Sequence, residues 1–336
     1  MISPAPSPVR RVAIAGTGVA VPEFILTAGE LDRRLDLPAG ESRRVTGVLQ
    51  RHVATRETAS QLAAAAIREA LVDAGLSWED IDCLVCASAT MDQALPYNAA
   101  MVLAELGDRS HRVASLDIGA SCLSFLQALD LMSCAIASGR YRHVMIASAD
   151  IASFTTDFRN LRENGLFGDG AAAVVLRPAA ADESSRLLAS RSITLPEGAD
   201  LCRIRSGGSR FHRRGDDGHA RALFEMRGRP LFALVARELP RFVEGLLDEA
   251  GVVRDDLALL IPHQASRQAL DHLPKLLGIG AERMVDVFGT FGNQVGASLP
   301  TALHFAIHRH GLARGRTALL LGSGAGVSIG GIVFTY

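Results

Sequence analysis

Cys122 is the side chain in this 336-residue sequence most obviously placed to do chemistry. It follows the small residues Gly119, Ala120 and Ser121 and opens the apolar run CLSFLQALDLMSCAIASG, which closes at Gly139. The preceding HRVASLDI has the character of a strand, so the thiol falls at a strand-to-helix turn. Unpaired N–H groups and a partial positive charge at a helix start favour a thiolate over a thiol of ordinary pKa about 8.5. The apolar residues run nearly all round the helix, as in a buried one. A small core cysteine fits the same place. A nucleophile needs partners, and two polar side chains break the hydrophobic pattern later in the chain: His263 in LLIPHQAS, directly after an apolar strand, and Asn293 in the Gly-rich FGTFGNQVGASLP. Strand ends are where α/β proteins place their sites. Taken alone, His263 also fits a hydrogen-bonded structural histidine.

Other patterns carry less. Cys83 and Cys86 have the spacing of a redox or metal pair, but they fall inside IDCLVCASA, an apolar strand in which residues three apart face opposite ways. GSGAG at 322–326 has the look of a dinucleotide loop, yet the residues after it read as a strand, VSIGGIVFTY, so no βαβ unit forms and a nicotinamide cofactor is excluded. His304, His308 and His310 put an i, i+4 pair on one helix face. With no carboxylate or cysteine beside them in sequence, a solvated helix end is expected there and no metal site. A G-x-S-x-G elbow is missing, which excludes the common serine hydrolase arrangement.

The surrounding chain is long and apolar enough to bury a large core. Lys and Arg total 35 against 36 Asp and Glu, so no global charge points to nucleic acid or an anionic membrane. Five cysteines are too few, and odd in number, for a disulfide framework. With no secretory h-region and no uninterrupted apolar stretch of about 18 residues, a cytoplasmic protein without a membrane span is expected. REALVDAGLSWEDIDCLVCASA reads as helix, Gly turn, acidic linker and strand, and PRFVEGLLDEAGVVRDDLALLIPHQ repeats the plan. Ala74-Gly75 matches Ala250-Gly251 (251 − 75 = 176) and RHVMI matches RTALL (316 − 142 = 174). The chain is therefore read as duplicated, with α/β halves at 1–178 and 179–336 packed together. The basic loop at 203–222 is either surface or a substrate-entry element.

Taken in order, GTGVAVPE, TGVLQRHVA, ETASQLAAAAIREAL, DIGASCLSF, LFGDGAAAVVL, PHQAS, FGNQVGASLP and GSGAGVSIGG resemble the β-ketoacyl-ACP synthase III branch of the thiolase superfamily, across nearly the whole chain. The resemblance implies a thiolase-like five-layered α/β/α/β/α fold built from two duplicated halves, a homodimer, and a catalytic triad at Cys122, His263 and Asn293. It implies decarboxylative Claisen condensation of an acyl thioester with malonyl-ACP through an acyl-cysteine, in fatty-acid or related biosynthesis. Acyl-CoA or acyl carrier protein thioesters would be substrates, with no tightly bound cofactor. The backbone N–H groups of Cys122 and Ala325 would form the oxyanion hole. His263 and Asn293 would hydrogen-bond the enolate, since Asn is no base. GSGAGVSIGG holds no second cysteine, which argues against thiolysis. A synthase III-like acyltransferase or acyl–acyl condensing enzyme, and a non-catalytic partner subunit, are the competing expectations.

The sequence also departs from the family. PAGESRRVTG lacks the tryptophan that stacks on coenzyme A in many relatives, and the sole tryptophan, Trp78, is elsewhere. Arg43 and Arg44 remain to meet phosphates, while Arg267 and Lys275 would face an acidic carrier protein or simply be surface cations. Leu95 stands where acetyl-using relatives carry phenylalanine against the partner's acyl pocket, which implies a longer or branched acyl group.

Overall fold

Strands and helices alternate along the chain. The computed structural model describes residues 9–107, 112–210 and 222–336. Its strands run from β1 (Val12–Ala20), β2 (Ile25–Thr27), β3 (Gln50–His52), β4 (Cys83–Cys86), β5 (Ala114–Asp117), β6 (Val144–Asp150) and β7 (Gly170–Pro178). They continue as β8 (Arg186–Thr194), β9 (Cys202–Ile204), β10 (Phe224–Met226), β11 (Leu257–Pro262), β12 (Thr317–Gly324) and β13 (Ser328–Thr335). The helices are α1 (Ala28–Arg34), α2 (Glu41–Thr46), α3 (Ala59–Ala74), α4 (Asn98–Leu106), α5 (Ser124–Ala137), α6 (Gly228–Ala250), α7 (Arg267–Leu277), α8 (Phe288–Phe291) and α9 (Ser298–His308).

Two sheets share one connection pattern. The first has the order β1-β7-β6-β4-β5 and the second β8-β13-β12-β11. In each, the first three strands are antiparallel and the next joins parallel. The second sheet's counterpart of β5 shrinks to one bridge, Leu260 to Met284. Strands of both sheets alternate between two buried faces, as parallel sheets covered by helices must. Cys83 and Val85 enter the central core with Ile146, Leu126 and Leu303, whereas Leu84 and Cys86 pack outward against Ile67. The cysteine pair is thus split across β4, as its spacing required. In β12, Leu320 faces the central core and Leu319 faces α6. Helices α3 and α4, the first sheet, α5 with α9, the second sheet, and α6 with α7 make the five expected layers.

Local sequence explains the pieces. Thr58 caps α3 through a reciprocal box with Gln61, and Gly75 ends that helix in the left-handed conformation. The alanine-rich α3 lies directly on β1, where a Cβ at Gly16 would sit 2.7 Å from Ala70 O and 2.8 Å from Ala74 Cα. GSGAG is the end of β12, through Gly324, and the start of the tight turn at 325–327 that joins it to β13, with no helix after it. No described helix is long and apolar enough to cross a membrane.

Two expectations need correction. Helix α5 is not enclosed all round: Leu131 and Cys134, three residues apart, are exposed on one face, while Ser133 and Ile136 in the same turns are buried. The histidines of α9 are not a wholly solvated end. His304 is half-buried with Nδ1 2.9 Å from Thr17 Oγ1, and its ring centre lies 4.4 Å from that of His308 with the rings tilted by 37°, while His308 and His310 are exposed.

Gly16→Ala is expected to push α3 off β1 and destabilise by about 1–3 kcal/mol, the usual cost of overpacking. The check is a lowered urea midpoint with an unchanged slope.

Candidate active site

The nucleophile turn begins where β5 ends. Ser121 takes a left-handed φ of 53°, uncommon for a residue with a side chain, and opens a 3-10 turn that runs into α5. The buried Ser124 holds the turn, its Oγ accepting the Ala120 N–H at 2.8 Å and lying 2.7 Å from Ser121 O and 3.1 Å from Ser88 O. Cys122 is left half-buried with its side chain on a cavity. The N–H groups of Ala325 and of Cys122 itself bond the sulfur and favour the anion. Burial nevertheless pushes the thiol pKa up, and Cys202 and Asp150 push the same way. The expected resting thiolate is therefore corrected to a thiol, because loss of water outweighs the helix start.

His263 follows β11 and stays in the ladder, its N–H donating to Leu321 O at 2.8 Å. The neighbouring Gln264, fully buried, fixes the turn: its N–H meets Ser298 Oγ, its amide NH2 meets Pro262 O and Val285 O, and its Oε1 accepts the Val287 N–H. Burial lowers the His263 pKa to about 4, so the ring is neutral at pH 7. Its Nδ1 is buried without a partner. An orphan acceptor costs less than an orphan N–H, which favours the proton on Nε2. Gly322 lets this residue approach the nucleophile turn: a Cβ there would meet Leu123 Cδ2 at 2.9 Å and His263 Cβ at 3.1 Å.

Asn293 is set by two Gly-rich stretches clasping each other. Its N–H donates to Leu166 O at 2.8 Å and its carbonyl accepts the Gly168 N–H at 3.1 Å. Gly292, at φ 67°, is needed because a Cβ would lie 2.7 Å from Leu166 O. The side-chain Oδ1 accepts the Val295 N–H at 2.8 Å, and Nδ2 donates to Ala265 O at 3.2 Å, which leaves its second hydrogen for a ligand. Below the clasp, the fully buried Arg51 donates to Gly165 O and Phe167 O.

Cys122, His263, Asn293 and Ala325 line one cavity of about 690 Å3, whose remaining wall includes Phe224, Met226, Leu231, Phe232, Val235 and Leu273. Such a wall suits an alkyl chain with a few convergent polar groups at one end. Arg267 also lines it, its aliphatic stem lying on Gly47 and its guanidinium already paired with Asp271 and Asp286. Arg43 and Arg44 lie outside the cavity on α2; Arg44 is held by Glu41, while the adjoining Val45 and Thr46 do line the cavity. Lys275 is exposed at the end of α7. Leu95 is 84% exposed and lies outside the cavity of its own chain. Of the basic loop, residues 211–221 lie outside the described residues, and Arg203 and Ile204 line the cavity. Sequence reasoning missed Gln264, the buried side chain that fixes the His263 turn; its signal was a second polar residue directly after His263 at the end of an apolar strand.

Residues 116–196 match the family described as 3-oxoacyl-[acyl-carrier-protein] synthase III, and residues 247–336 match its C-terminal part. The chain is 32% identical over 333 residues to the β-ketoacyl-[acyl-carrier-protein] synthase III of Symbiobacterium thermophilum, covering 98% of this chain and 99% of that one. This chain belongs to the synthase III family. The corresponding Roseiflexus castenholzii protein is 35% identical over 318 residues, 94% of this chain and 95% of the relative. The crystal structure of the Aquifex aeolicus enzyme superimposes with a TM-score of 0.86 at 31% identity, over 97% of this chain and all of that one. The five layers are those of the thiolase-like fold.

Acid should test the buried histidine of this synthase III chain. Unfolded His263 binds its proton near 6.5 and the folded residue only near 4, so the unfolded state holds more protons between those values. Stability then falls as pH drops through that window, by up to about 3 kcal/mol at the low end. His304, also lowered to about 4, adds in the same sense. The urea midpoint should fall less steeply between pH 6.5 and 4 in His263→Gln than in wild type, His304 keeping its own share.

Proposed function

We propose that Cys122 carries the acyl group and that His263 and Asn293 stabilise the malonyl enolate, in a decarboxylative condensation that yields a β-ketoacyl thioester. The observation that supports this is the meeting, in one largely apolar cavity, of a thiol, a neutral imidazole, an amide with a spare N–H and the Ala325 backbone N–H at the sulfur.

In the first half-reaction the Cys122 sulfur attacks the acyl thioester carbonyl. The carrier C–S bond breaks, and the departing carrier thiol takes the proton that Cys122 gives up. The N–H groups of Cys122 and Ala325 receive the oxyanion, each such donor being worth about 3–4 kcal/mol in other enzymes. In the second half-reaction the malonyl C–CO2 bond breaks, CO2 leaves, and the electron pair moves into the thioester enolate. His263 Nε2–H and Asn293 Nδ2–H donate to its oxygen. The enolate carbon attacks the acyl carbonyl, the bond to Cys122 breaks, and the departing thiolate takes one proton from solvent, which restores the thiol.

An acyl carrier protein is the preferred donor. Exposed Arg43 beside the cavity-lining Val45, and exposed Lys275 on α7, support electrostatic docking of an acidic carrier. The apolar wall supports an acyl chain longer than acetyl. A homodimer of the two-half chain (1–178 and 179–336) fits exposed Met91, Leu95 and Tyr97 beside β5, to whose Ser115 Oγ the Tyr97 hydroxyl lies at 3.0 Å. Leu95 would there reach the partner's cavity.

Intact mass after incubation with acyl-CoAs and acyl carrier proteins of increasing chain length is the test. Wild type should gain an acyl adduct that Cys122→Ala lacks, and malonyl carrier protein should discharge it as a β-ketoacyl product. Asn293→Ala should still acylate but discharge about 100- to 1,000-fold more slowly. An adduct released by small nucleophiles and untouched by malonyl carrier protein would assign acyl transfer instead; no adduct from any donor would assign a partner subunit.

A further inference from the structure

The duplication supplies a second copy of the nucleophile turn. Ser121 and Val295 share a φ of 53°, each opens a 3-10 turn, and each turn runs into a helix that begins with a buried serine, Ser124 or Ser298. They are separated by the same offset that aligns β6 with β12, since 295 − 121 = 174. At that offset Gly296 stands for Cys122 and Gly324 for Asp150.

The two copies hold different things. In the second, the N–H groups of Gly296 and Ala297 donate to Asp150 Oδ2 at 2.9 and 3.2 Å. The other carboxylate oxygen accepts from Ala89 N–H at 2.9 Å, Thr90 N–H at 2.6 Å and Thr90 Oγ1 at 3.0 Å. Asp150 is fully buried and no step above uses it. In the first copy Gly324 has no side chain, and it lines the cavity beside Cys122. A negative oxygen is thus built into one helix start, while the equivalent place at the other is left for the substrate.

The bonds of Asp150 span the site. Ala89 and Thr90 line the cavity with Cys122, and Gly296 and Ala297 follow directly on the Asn293 turn. We propose that Asp150 is a positioning residue for the condensation step, its two carboxylate oxygens tying the cavity wall beside Cys122 to the turn that aims Asn293. This rests on the assignment of acylation to Cys122 and enolate binding to Asn293. A carboxylate is required because both oxygens must accept. An asparagine has one acceptor, and its NH2 would confront N–H donors on whichever side it faced.

Single-turnover mass spectrometry on the full chain separates the steps. In Asp150→Asn acyl adduct formation should not slow, since the variant loses a charge that opposes the Cys122 thiolate, while discharge by malonyl carrier protein falls about tenfold or more, as for a misplaced donor. Gly296→Ala approaches from the other side, since its Cβ would lie 2.7 Å from Oδ2, and should give the same split. Thermal melting confirms that each variant is folded. Equal loss of both steps, unchanged discharge, or misfolding of both variants overturns the proposal, because the carboxylate would then serve the fold alone. If wild type itself takes up no acyl group, the Cys122 assignment fails first, and this proposal with it.

Discussion

Two buried helices, α5 and α9, start at the seam between the sheets, and the N–H groups of their first turns have no intrahelical partner. Everything around the site answers that requirement. At α9 the answer is internal, the Asp150 carboxylate reaching across from the other half. At α5 the first turn carries Cys122, whose own N–H and that of Ala325 converge on sulfur, and the neighbouring position on β12 is a glycine. Orphan donors buried without partners are costly, so a site that leaves them to the substrate favours whichever species brings negative oxygen there.

Dryness sets the chemistry of the other groups. The seam that exposes the N–H groups also removes water from Cys122 and His263, and both are neutral as a result. A neutral imidazole is suited to donating one hydrogen bond to an oxygen that becomes charged, and a neutral thiol is protected until a thioester enters. Asn293 belongs with these groups because it donates without titrating. Its aim depends on Val295, Ala265 and the Leu166–Gly168 stretch, which hold it through their backbone groups.

The sequence by itself determined the alternation of strands and helices, the duplication, and the three polar side chains that end apolar strands or turns. These were legible because buried strands and helices leave a strong apolar period, and a thiol, a histidine or an asparagine at its end stands out. Motif order carried the family. Tertiary structure decided the rest. It closed off the thiolate expected at Cys122, because desolvation depends on what packs around a turn rather than on the turn. It paired Arg267 and Arg44 with carboxylates, since a cation's partners are set by neighbouring elements. It folded His304 onto Thr17, a strand at the other end of the chain. Asp150 had the same kind of signature as His263, one polar residue at the end of an apolar strand. Only the meeting of the two halves showed that one of them faces a substrate cavity and the other faces the protein's own helix.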